Sequence, residues 1–558
     1  MKRKTGALLL ILLIAIAAGS FLVLREGKEK GIIPRLSGDR QLDETYITNK
    51  DAPAVPEAEV TDGRLSLYYD DRYSFDSDIA GIYSETEEPV LTADEKDPRR
   101  VIATECGEAE VSLENGEVIS VSVGPAPISL ILIAGQSNGE GRISENRTVD
   151  TVRDQYVLNR EGTAYSTYGI SDKAISEEVT WFSETTDDLS ISNFEDFLPA
   201  SLTDNSENSR FAQTNSITDA AGAAGKGGID SAFAYRWHEL TGEKIWLVNA
   251  CHHGTSIESW QPGDSETDND FWQAVELYRG AEKILSDEIA AGHYTLSHKG
   301  VLWYQGEGDR YMEDEQYYGL FMNTYNGLIA ELDGEDIEGT EGRPEFMALF
   351  MPRSMLSEDE ARDMYLTEPR TVQYYVATSE GPDDIFLASH IEELWHDNAS
   401  VKKYFENRYG NGFSGAYPVR ADELRMPEVT GDVHGDYHFT QLGYNEIGFD
   451  GAESVCSYLG YYEEDPDRQG PVSVVFSDGL TDVSGSTVSL SKGVTTRFAV
   501  KAYPATREKD IEVETSDNIE AGPYGIKLKN DEAGTIRVRA GKYETEVKVV
   551  PKQKDHHE

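Results

Sequence analysis

The central part of the chain alternates short, continuous apolar runs with longer segments of helical period. Four apolar runs occupy residues 128–134, 244–250, 300–304 and 346–350. Runs of this length are typical of strands that are covered on both faces, as in a parallel sheet. Helical spacing appears in residues 230–241 and 271–291. This alternation predicts an α/β, doubly wound domain, in which ligands bind beyond the carboxyl ends of the strands.

Shorter alternating runs lie on both sides of this region. They occupy residues 64–69 and 118–123 before it, and residues 472–476, 496–500, 535–539 and 547–550 after it. Period-two alternation, with turn residues between the runs, predicts strands with one buried face. We therefore expect small all-β modules at residues 58–125 and 470–551, with the central domain at 126–462. The C-terminal module resembles bacterial immunoglobulin-like domains in the rhythm of its strands, although any other small β-sandwich fits nearly as well.

The N-terminus predicts export. Lys2, Arg3 and Lys4 precede an apolar stretch at residues 6–24. At about 1.5 Å per residue, that stretch is just long enough to span a hydrocarbon core. Residues 1–30 are therefore a signal anchor or a cleaved signal peptide, and the anchor is slightly favoured because the apolar run continues past a small-residue cleavage site at 15–17. In either case residues 31–57 form a polar linker and the rest of the chain faces the outside.

Composition and charge argue against several kinds of function for this chain. The chain has 558 residues and a formal net charge of −52. Such a charge argues against binding nucleic acid through its phosphates and against a basic membrane-surface patch, because both need clustered Lys and Arg. The three cysteines are too sparse for a disulfide framework, and we assign none of them a catalytic role. The acidic loops lack the D-x-D-x-D-G spacing of calcium sites, so we expect no metal.

Polar residues follow the apolar runs at the points where the strands would end. The first run leads into Gly135-Gln136-Ser137-Asn138-Gly139, the second into residues 252–260 and the third into residues 304–309. A further polar block, residues 435–440, lies near the end of the domain. Because the carboxyl ends of parallel strands meet at one edge of a sheet, these segments predict a common site.

The residue types in these segments have a joint chemical meaning. A Ser hydroxyl becomes a nucleophile when a neighbouring His takes its proton, and a carboxylate fixes the tautomer of that His. Backbone N–H groups at Gly turns, together with an amide side chain, stabilise the oxyanion of acyl transfer. Ser137, His438, an Asp just before it, Gly254 and Gln305 supply each of these parts.

The ordered motifs G-Q-S-N, H-G-T-S-I-E-S-W, W-Y-Q-G-E and D-Y-H-F-T resemble those of the SGNH hydrolases. More narrowly, they are similar to the sialate O-acetylesterase and acetylxylan esterase branch of the carbohydrate esterases. The resemblance covers about residues 126–462. It implies a flavodoxin-like, three-layer domain around a parallel sheet and hydrolysis of O-acetyl esters on sugars, without metal or cofactor.

The resemblance also implies residue roles. Ser137 matches the nucleophile, and its own N–H with Gly254 and Gln305 matches the oxyanion hole. His438 matches the base, and Glu307 matches an acid that orients the site. On the substrate side we place four residues of these motifs, namely Gln136, Asn138, Glu307 and His253. Packing beside Gly254 is the favoured alternative for His253, because the family often has Gly at that position.

The motifs leave the triad carboxylate open, since the common pattern places it three positions before the base, where this chain has Gly435. Asp436, two positions before His438, is the first choice, and Asp432, six before, is the alternative. A His held without a carboxylate is a third option.

The segment G-x-S-x-G around Ser137 also matches the nucleophile elbow of α/β-hydrolases. That elbow needs a helix directly after the serine, whereas residues 140–147 have the composition of a loop. Because the serine also follows the first strand of the domain, SGNH geometry is favoured. A long polar insertion at residues 143–225 follows, and loops of this size are often functional or disordered. It carries aromatic residues that suit sugar stacking or, more simply, packing: Trp181, Phe182, Phe194 and Phe197.

These observations together predict an exported, cell-surface carbohydrate O-acetylesterase with a Ser-His-Asp acyl-enzyme mechanism. The alternative is a non-catalytic surface glycan-binding or adhesion protein on a degenerate esterase domain. The net charge of −52 disfavours polyanionic glycans, so a neutral acetylated polysaccharide is preferred over sialic acid as substrate.

Overall fold

The structure is a computed structural model of the chain. It describes residues 58–94, 97–140, 156–158, 164–166, 179–183, 229–263, 269–334, 337–352, 368–389, 441–461, 473–476, 483–501, 511–522, 525–540 and 543–552. Several sequence-based expectations lie outside these residues: the export segment 1–30, the linker 31–57, and the block that carries Asp432, Asp436 and His438. Within the described residues, no helix combines the length and the apolar character needed to cross a membrane.

The N-terminal module, here residues 58–124, forms two small sheets. Its strands are β1 (Arg64–Tyr68), β2 (Arg72–Ser74), β3 (Ile79–Ser84), β4 (Leu91–Ala93), β5 (Arg100–Ala103), β6 (Gly107–Leu113) and β7 (Val118–Gly124). One sheet has the order β1-β7-β6-β3 and the other β2-β5-β4. Alternate residues of these strands, such as Leu65, Val111 and Val121, form a separate hydrophobic core. The predicted period-two pattern is therefore the pattern of a sheet with one buried face.

The central domain contains the strands β8 (Ala126–Gly135), β9 (Tyr156–Leu158), β10 (Ala164–Ser166), β11 (Val179–Ser183), β12 (Lys244–Asn249), β13 (Tyr294–Tyr304), β14 (Phe346–Phe350) and β15 (Ile385–Ser389). Six of them form a sheet of order β11-β12-β8-β13-β14-β15. Every neighbouring pair in that sheet is parallel. The parallel sheet predicted from the four apolar runs is confirmed, because these runs lie on β8, β12, β13 and β14 and are buried. The strand β15 is also buried but was not predicted.

The helices of this domain are α1 (Ser137–Glu140), α2 (Asp230–Thr241), α3 (Asp270–Ala290), α4 (Asp314–Glu331), α5 (Glu368–Tyr375) and α6 (Gln441–Tyr458). Short 3-10 turns occupy Ile257–Trp260 and Glu307–Asp309, and a π-helical turn at Val376–Glu380 follows α5. Helices α2 and α3 start within one residue of the predicted positions. Residues of both helices pack with the strands in one large core, which includes Phe233, Trp237 and Tyr278.

Two expectations about the segment after Ser137 need correction. The predicted loop at 140–147 begins one residue too early, because Glu140 belongs to the one-turn helix α1. The predicted insertion at 143–225 is not wholly a loop, because β11 pairs in parallel with β12 at the edge of the main sheet. Trp181 and Phe182 lie on β11 opposite Leu247 and Val248. Phe194 and Phe197 lie outside the described residues.

The C-terminal module, here residues 473–552, contains the strands β16 (Ser473–Phe476), β17 (Thr487–Leu490), β18 (Thr495–Thr496), β19 (Phe498–Lys501), β20 (Glu512–Thr515), β21 (Ile519–Gly522), β22 (Gly525–Leu528), β23 (Gly534–Ala540) and β24 (Tyr543–Pro551). They form sheets of order β16-β19, β17-β24-β23-β20 and β18-β22-β21. Buried residues of these strands, including Val500, Ile526 and Val538, make a third core. The resemblance to immunoglobulin-like domains stays a prediction.

Candidate active site

The turn after β8 presents Ser137 at the carboxyl end of a central strand. Gly135 has φ 145°, and a Cβ placed there would lie 2.1 Å from the backbone oxygen of Tyr304. Glycine is therefore required where β8 and β13 end side by side. The backbone N–H of Gln136 donates to that same Tyr304 oxygen at 2.9 Å. Ser137 then begins α1 with only 8% of its surface exposed.

The loop after β12, residues 252–260, is held by its own hydrogen bonds. The Thr255 hydroxyl donates to the backbone oxygen of His252 at 2.8 Å, and the Trp260 indole N–H donates to the Thr255 hydroxyl at 3.2 Å. The backbone N–H of His252 donates to the Gly135 oxygen at 3.0 Å, which ties this loop to the nucleophile turn. Gly254 has φ 74°, a left-handed conformation that favours glycine although its surroundings would admit a Cβ. The peptide of Gly254 therefore has a fixed place beside the turn of Ser137.

The loop after β13, residues 305–309, binds both neighbours of Ser137. The side-chain oxygen Oε1 of Gln136 accepts from the backbone N–H groups of Gly306 at 3.3 Å and Gly308 at 3.2 Å. The amide Nδ2 of Asn138 donates to Oε1 of Glu307 at 2.6 Å. Gln136, Asn138 and Glu307 are all buried. These contacts hold the turn of Ser137 against this loop, and the contact of Gln136 and Asn138 with substrate stays a prediction.

Glu307, which the motifs predict to orient the site, contacts the residue after Ser137. Its carboxylate accepts the hydrogen bond from Asn138, and it lies in a 3-10 turn at the carboxyl end of β13. Gly306, just before it, has φ 145°, and a Cβ there would lie 2.6 Å from Cγ of Pro352. The backbone of this loop is therefore pressed against the residues that follow β14.

Gln305 lies in a buried hydrogen-bond network. Its Nε2 donates to Oδ2 of Asp309 at 2.5 Å and, more weakly, to the backbone oxygen of Thr255 at 3.4 Å. The Tyr317 hydroxyl donates to Oε1 of Gln305 at 3.0 Å. The Gln373 amide donates to the backbone oxygen of Gln305 at 2.7 Å. In this geometry both donors of the Gln305 amide have protein partners, so donation to an oxyanion requires exchange of the longer contact, the one with Thr255.

Asp309 joins the loops after β12 and β13, a role that the motifs did not reveal. Its Oδ2 accepts from the backbone N–H of Ile257 at 2.8 Å as well as from Gln305. Burial raises the pKa of Asp309, and the hydrogen bonds from Gln305 and Ile257 only partly oppose that shift. The only sequence signal for this residue is its place at the end of the third motif segment, 304–309.

Two histidines contact buried carboxylates at the end of β12. Nδ1 of His253 lies 3.1 Å from Oε2 of Glu140, and Nδ1 of His252 lies 2.6 Å from Oδ1 of Asp270. The His253 side chain is 43% exposed, whereas that of Glu140 is 1% exposed. Because Glu140 lies on the same helical turn as Ser137, His253 is fixed to the nucleophile turn and keeps an open ring face. Glu140 was not singled out from the sequence.

The structure thus brings together the first three motif segments. Hydrogen bonds link the turn of Ser137 with the loops of Gly254 and Gln305, while His438 and the candidate acids Asp436 and Asp432 lie outside the described residues. Within the part of the chain that the structure describes, no group of three or more His, Cys, Asp or Glu side chains could hold a metal ion. A buried serine between glycine turns and amide groups suits acyl transfer.

Comparison with known proteins gives a family for this region. The family model described as carbohydrate esterase, sialic acid-specific acetylesterase matches residues 193–338, which include the loops after β12 and β13. No curated protein sequence matches the chain.

Solved structures with a similar chain include a protein from Arabidopsis thaliana, at 14% identity over 59% of this chain and 98% of that one, with a TM-score of 0.31. They also include a carbohydrate acetylesterase from Xanthomonas citri, at 14% identity over 90% of this chain and 100% of that one, with a TM-score of 0.34. A third is NanS, at 13% identity over 60% of this chain and 98% of that one, with a TM-score of 0.35. The match of the family model makes the region of residues 193–338 similar to the sialate O-acetylesterase-like carbohydrate esterases and supports a hydrolase of carboxylic esters.

Proposed function

We propose that the chain is an exported serine esterase of SGNH type that removes O-acetyl groups from a carbohydrate. The observation that carries this proposal is the position of Ser137 at the topological switch point of the sheet. Apart from the edge strand β11, the strands β8, β12, β13, β14 and β15, numbered along the chain, take the order 2-1-3-4-5, and Ser137 follows strand 1. That order is the flavodoxin-like one, and its ligand site lies beyond strand 1, where successive connections leave in opposite directions.

In the proposed mechanism, Oγ of Ser137 attacks the carbonyl carbon of the acetyl ester while His438 takes the hydroxyl proton. The tetrahedral intermediate collapses, the ester bond to the sugar oxygen breaks, and His438 gives its proton to that oxygen. Water, deprotonated by His438, then attacks the carbonyl carbon of the acetyl-enzyme; its bond to Oγ of Ser137 breaks, His438 returns the proton to Oγ, and acetate leaves. Asp436, or else Asp432, fixes the tautomer of His438 and stabilises the imidazolium.

The oxyanion would receive hydrogen bonds from the backbone N–H groups of Ser137 and Gly254 and from the Gln305 amide. The fixed loop of Gly254 and the buried network around Gln305 support this assignment, because such donors act best when they are held in place before the reaction. The described Gln305 amide bonds Asp309 and Thr255, so its donation to the oxyanion replaces the 3.4 Å contact with Thr255.

We propose a neutral acetylated polysaccharide as substrate. The description of the matching family names sialic acid, whose carboxylate would meet a protein of formal net charge −52. Acetate release should therefore be faster from a neutral acetylated polymer than from an acetylated sialic acid, and salt should narrow the difference. Faster release from the sialic acid at low salt would reverse this choice.

We also propose that the body of the chain faces the outside, attached by residues 1–30 or released after their cleavage. The cationic residues before the apolar stretch support export. Fractionation of expressing cells tests this, since a cytoplasmic location would contradict it.

The experiment that tests the activity compares Ser137→Ala with Ser286→Ala. Ser286 lies on α3 and its hydroxyl donates to the backbone oxygen of Glu338, so it serves as a control for loss of a serine hydroxyl. Acetate release from acetylated glycans should fall to background in the first variant and stay at the parental rate in the second. Parental turnover by Ser137→Ala, or glycan binding by the parent without acetate release, would contradict the proposal.

A further inference from the structure

Two contacts join the C-terminal module to helices of the central domain. Nη2 of Arg497, between β18 and β19, donates to both carboxylate oxygens of Asp314 at 3.1 Å. The Tyr374 hydroxyl donates to the backbone oxygen of Val500 at 2.7 Å and accepts from its N–H at 2.9 Å. All these groups are at least partly buried, and Val500 is almost fully so. One edge of β19 is thus bonded to α5 rather than to a further strand.

The same two helices hold Gln305. Asp314 is the first residue of α4, and Tyr317, one turn further on, donates its hydroxyl hydrogen to Gln305. Gln373 precedes Tyr374 on α5 and donates to the backbone oxygen of Gln305 and, at 2.8 Å, to the Tyr317 hydroxyl. Successive residues of a helix point in different directions. Helix α5 therefore contacts the loop of Gln305 through Gln373 and the C-terminal module through Tyr374.

The inner part of this arrangement is fully buried. Gln305, Tyr317 and Gln373 have no exposed surface. A buried polar network of this kind has few alternative arrangements, because any bond that is lost leaves a buried donor or acceptor without its partner. A shift of either helix is therefore transmitted to the Gln305 amide rather than absorbed by solvent.

We propose that the C-terminal module braces the loop of Gln305 and so contributes to catalysis in the central domain. Residues 495–501 hold the start of α4 and the end of α5, and these helices hold Gln305 through Tyr317 and Gln373. Tyr317 and Gln373 are positioning residues, because they act through Gln305. The inference rests on the proposed function, since it assumes that Gln305 serves the oxyanion.

The test uses the full chain with Arg497→Ala and Tyr374→Phe combined. Loss of the brace should lower kcat for an aryl acetate by roughly tenfold, which corresponds to about 1.4 kcal/mol of transition-state stabilisation, with KM changed by less than about twofold. Replacing Arg497→Ala by Arg497→Lys in this variant keeps the charge and should recover part of the lost kcat. Lys492→Ala is the matched control, because Lys492 pairs with Asp531 inside the C-terminal module at 2.8 Å. It should leave kcat unchanged.

Hydrogen exchange provides a readout that does not depend on activity. In the double variant, peptides that cover residues 305–309 should exchange faster than in the parent, and in Lys492→Ala they should not. Faster exchange at 495–501 with unchanged exchange at 305–309 and unchanged kcat would overturn the brace. Unchanged exchange at both 495–501 and 305–309 would also overturn the brace, because the contacts of Arg497 and Tyr374 would then stabilise neither segment. A parent without esterase activity would instead refute the proposed function, and the exchange result would still decide whether the module steadies the loop.

Discussion

Tyr317→Phe removes a single buried hydroxyl that lies between the Gln305 and Gln373 amides. The hydroxyl donates to Oε1 of Gln305 at 3.0 Å and accepts from Nε2 of Gln373 at 2.8 Å. Gln373 keeps its bond to the Gln305 backbone oxygen, so the main loss falls on Oε1 of Gln305, which becomes a buried acceptor without this donor.

The size of the effect follows from that loss. A buried group that loses its partner costs about 1–3 kcal/mol, so we expect about 2 kcal/mol of destabilisation, or an apparent Tm lower by about 4–8 °C for the central domain. We also expect kcat to fall about tenfold, less than the 10²–10³ typical for removal of an oxyanion donor, because Gln305 remains present but is less well oriented.

Tyr325→Phe is the matched control on the same helix. The Tyr325 hydroxyl donates to Oδ1 of Asp384 at 2.6 Å and has no bond to the loop of Gln305. It should lower Tm by a similar amount and leave kcat unchanged. Calorimetry and steady-state hydrolysis of an aryl acetate measure the two quantities. Equal kcat values in Tyr317→Phe and Tyr325→Phe would refute the reasoning that Gln305 needs its network.

Three further predictions concern other charged groups. Burial lowers the pKa of His293, but hydrogen bonds and charges from Glu288 and Glu105 outweigh it and raise the pKa overall. The stability that His293 contributes should therefore be complete below its unfolded pKa of about 6.5. It should be lost as pH rises through the higher folded pKa. Melts of the parent and His293→Gln should converge as pH rises, and a constant difference would contradict this. Glu140→Gln keeps the shape but removes the carboxylate oxygen that contacts His253, so kcat/KM for an aryl acetate should fall while Ser137 stays reactive to a fluorophosphonate; an unchanged kcat/KM would remove the pair from the site. Lys299→Met leaves Glu282 buried without its 2.6 Å partner and should cost about 3–5 kcal/mol, measured by thermal unfolding; a loss under about 1 kcal/mol would contradict that estimate.

Much of the central sheet could be predicted from the sequence, because its strands are buried on both faces and read as unbroken apolar runs. The edge strands β11 and β15 were not predicted. The strand β11 is only five residues long and lies in a polar segment, and its place depends on pairing with β12, which no local pattern indicates. Local propensity also failed at α1, since Gly139 favours a loop. In the structure the Glu140 N–H donates to the Gln136 oxygen at 2.8 Å, which closes one helical turn. Glycine is needed at position 139 because a Cβ there would lie 2.5 Å from Sγ of Cys251.

The motifs identified the segments of the site but not how they are joined. Gln136 and Asn138 flank the nucleophile, which suggested substrate contact, yet their amides bind a loop about 170 residues away in sequence. The contacts of Asp309 with Ile257 and of His253 with Glu140 also join distant segments. Such pairings depend on the folded sheet bringing strand ends together, and a single sequence carries no period or spacing that encodes them.

In the proposed mechanism Ser137 forms an acetyl-enzyme. Acid-quenching the protein during turnover of an aryl acetate, followed by peptide mass spectrometry, locates the acetyl adduct. One adduct is expected, on Ser137, that is absent from Ser137→Ala and retained in Ser286→Ala. An adduct on another residue, or steady turnover with no adduct and no loss in Ser137→Ala, would contradict it.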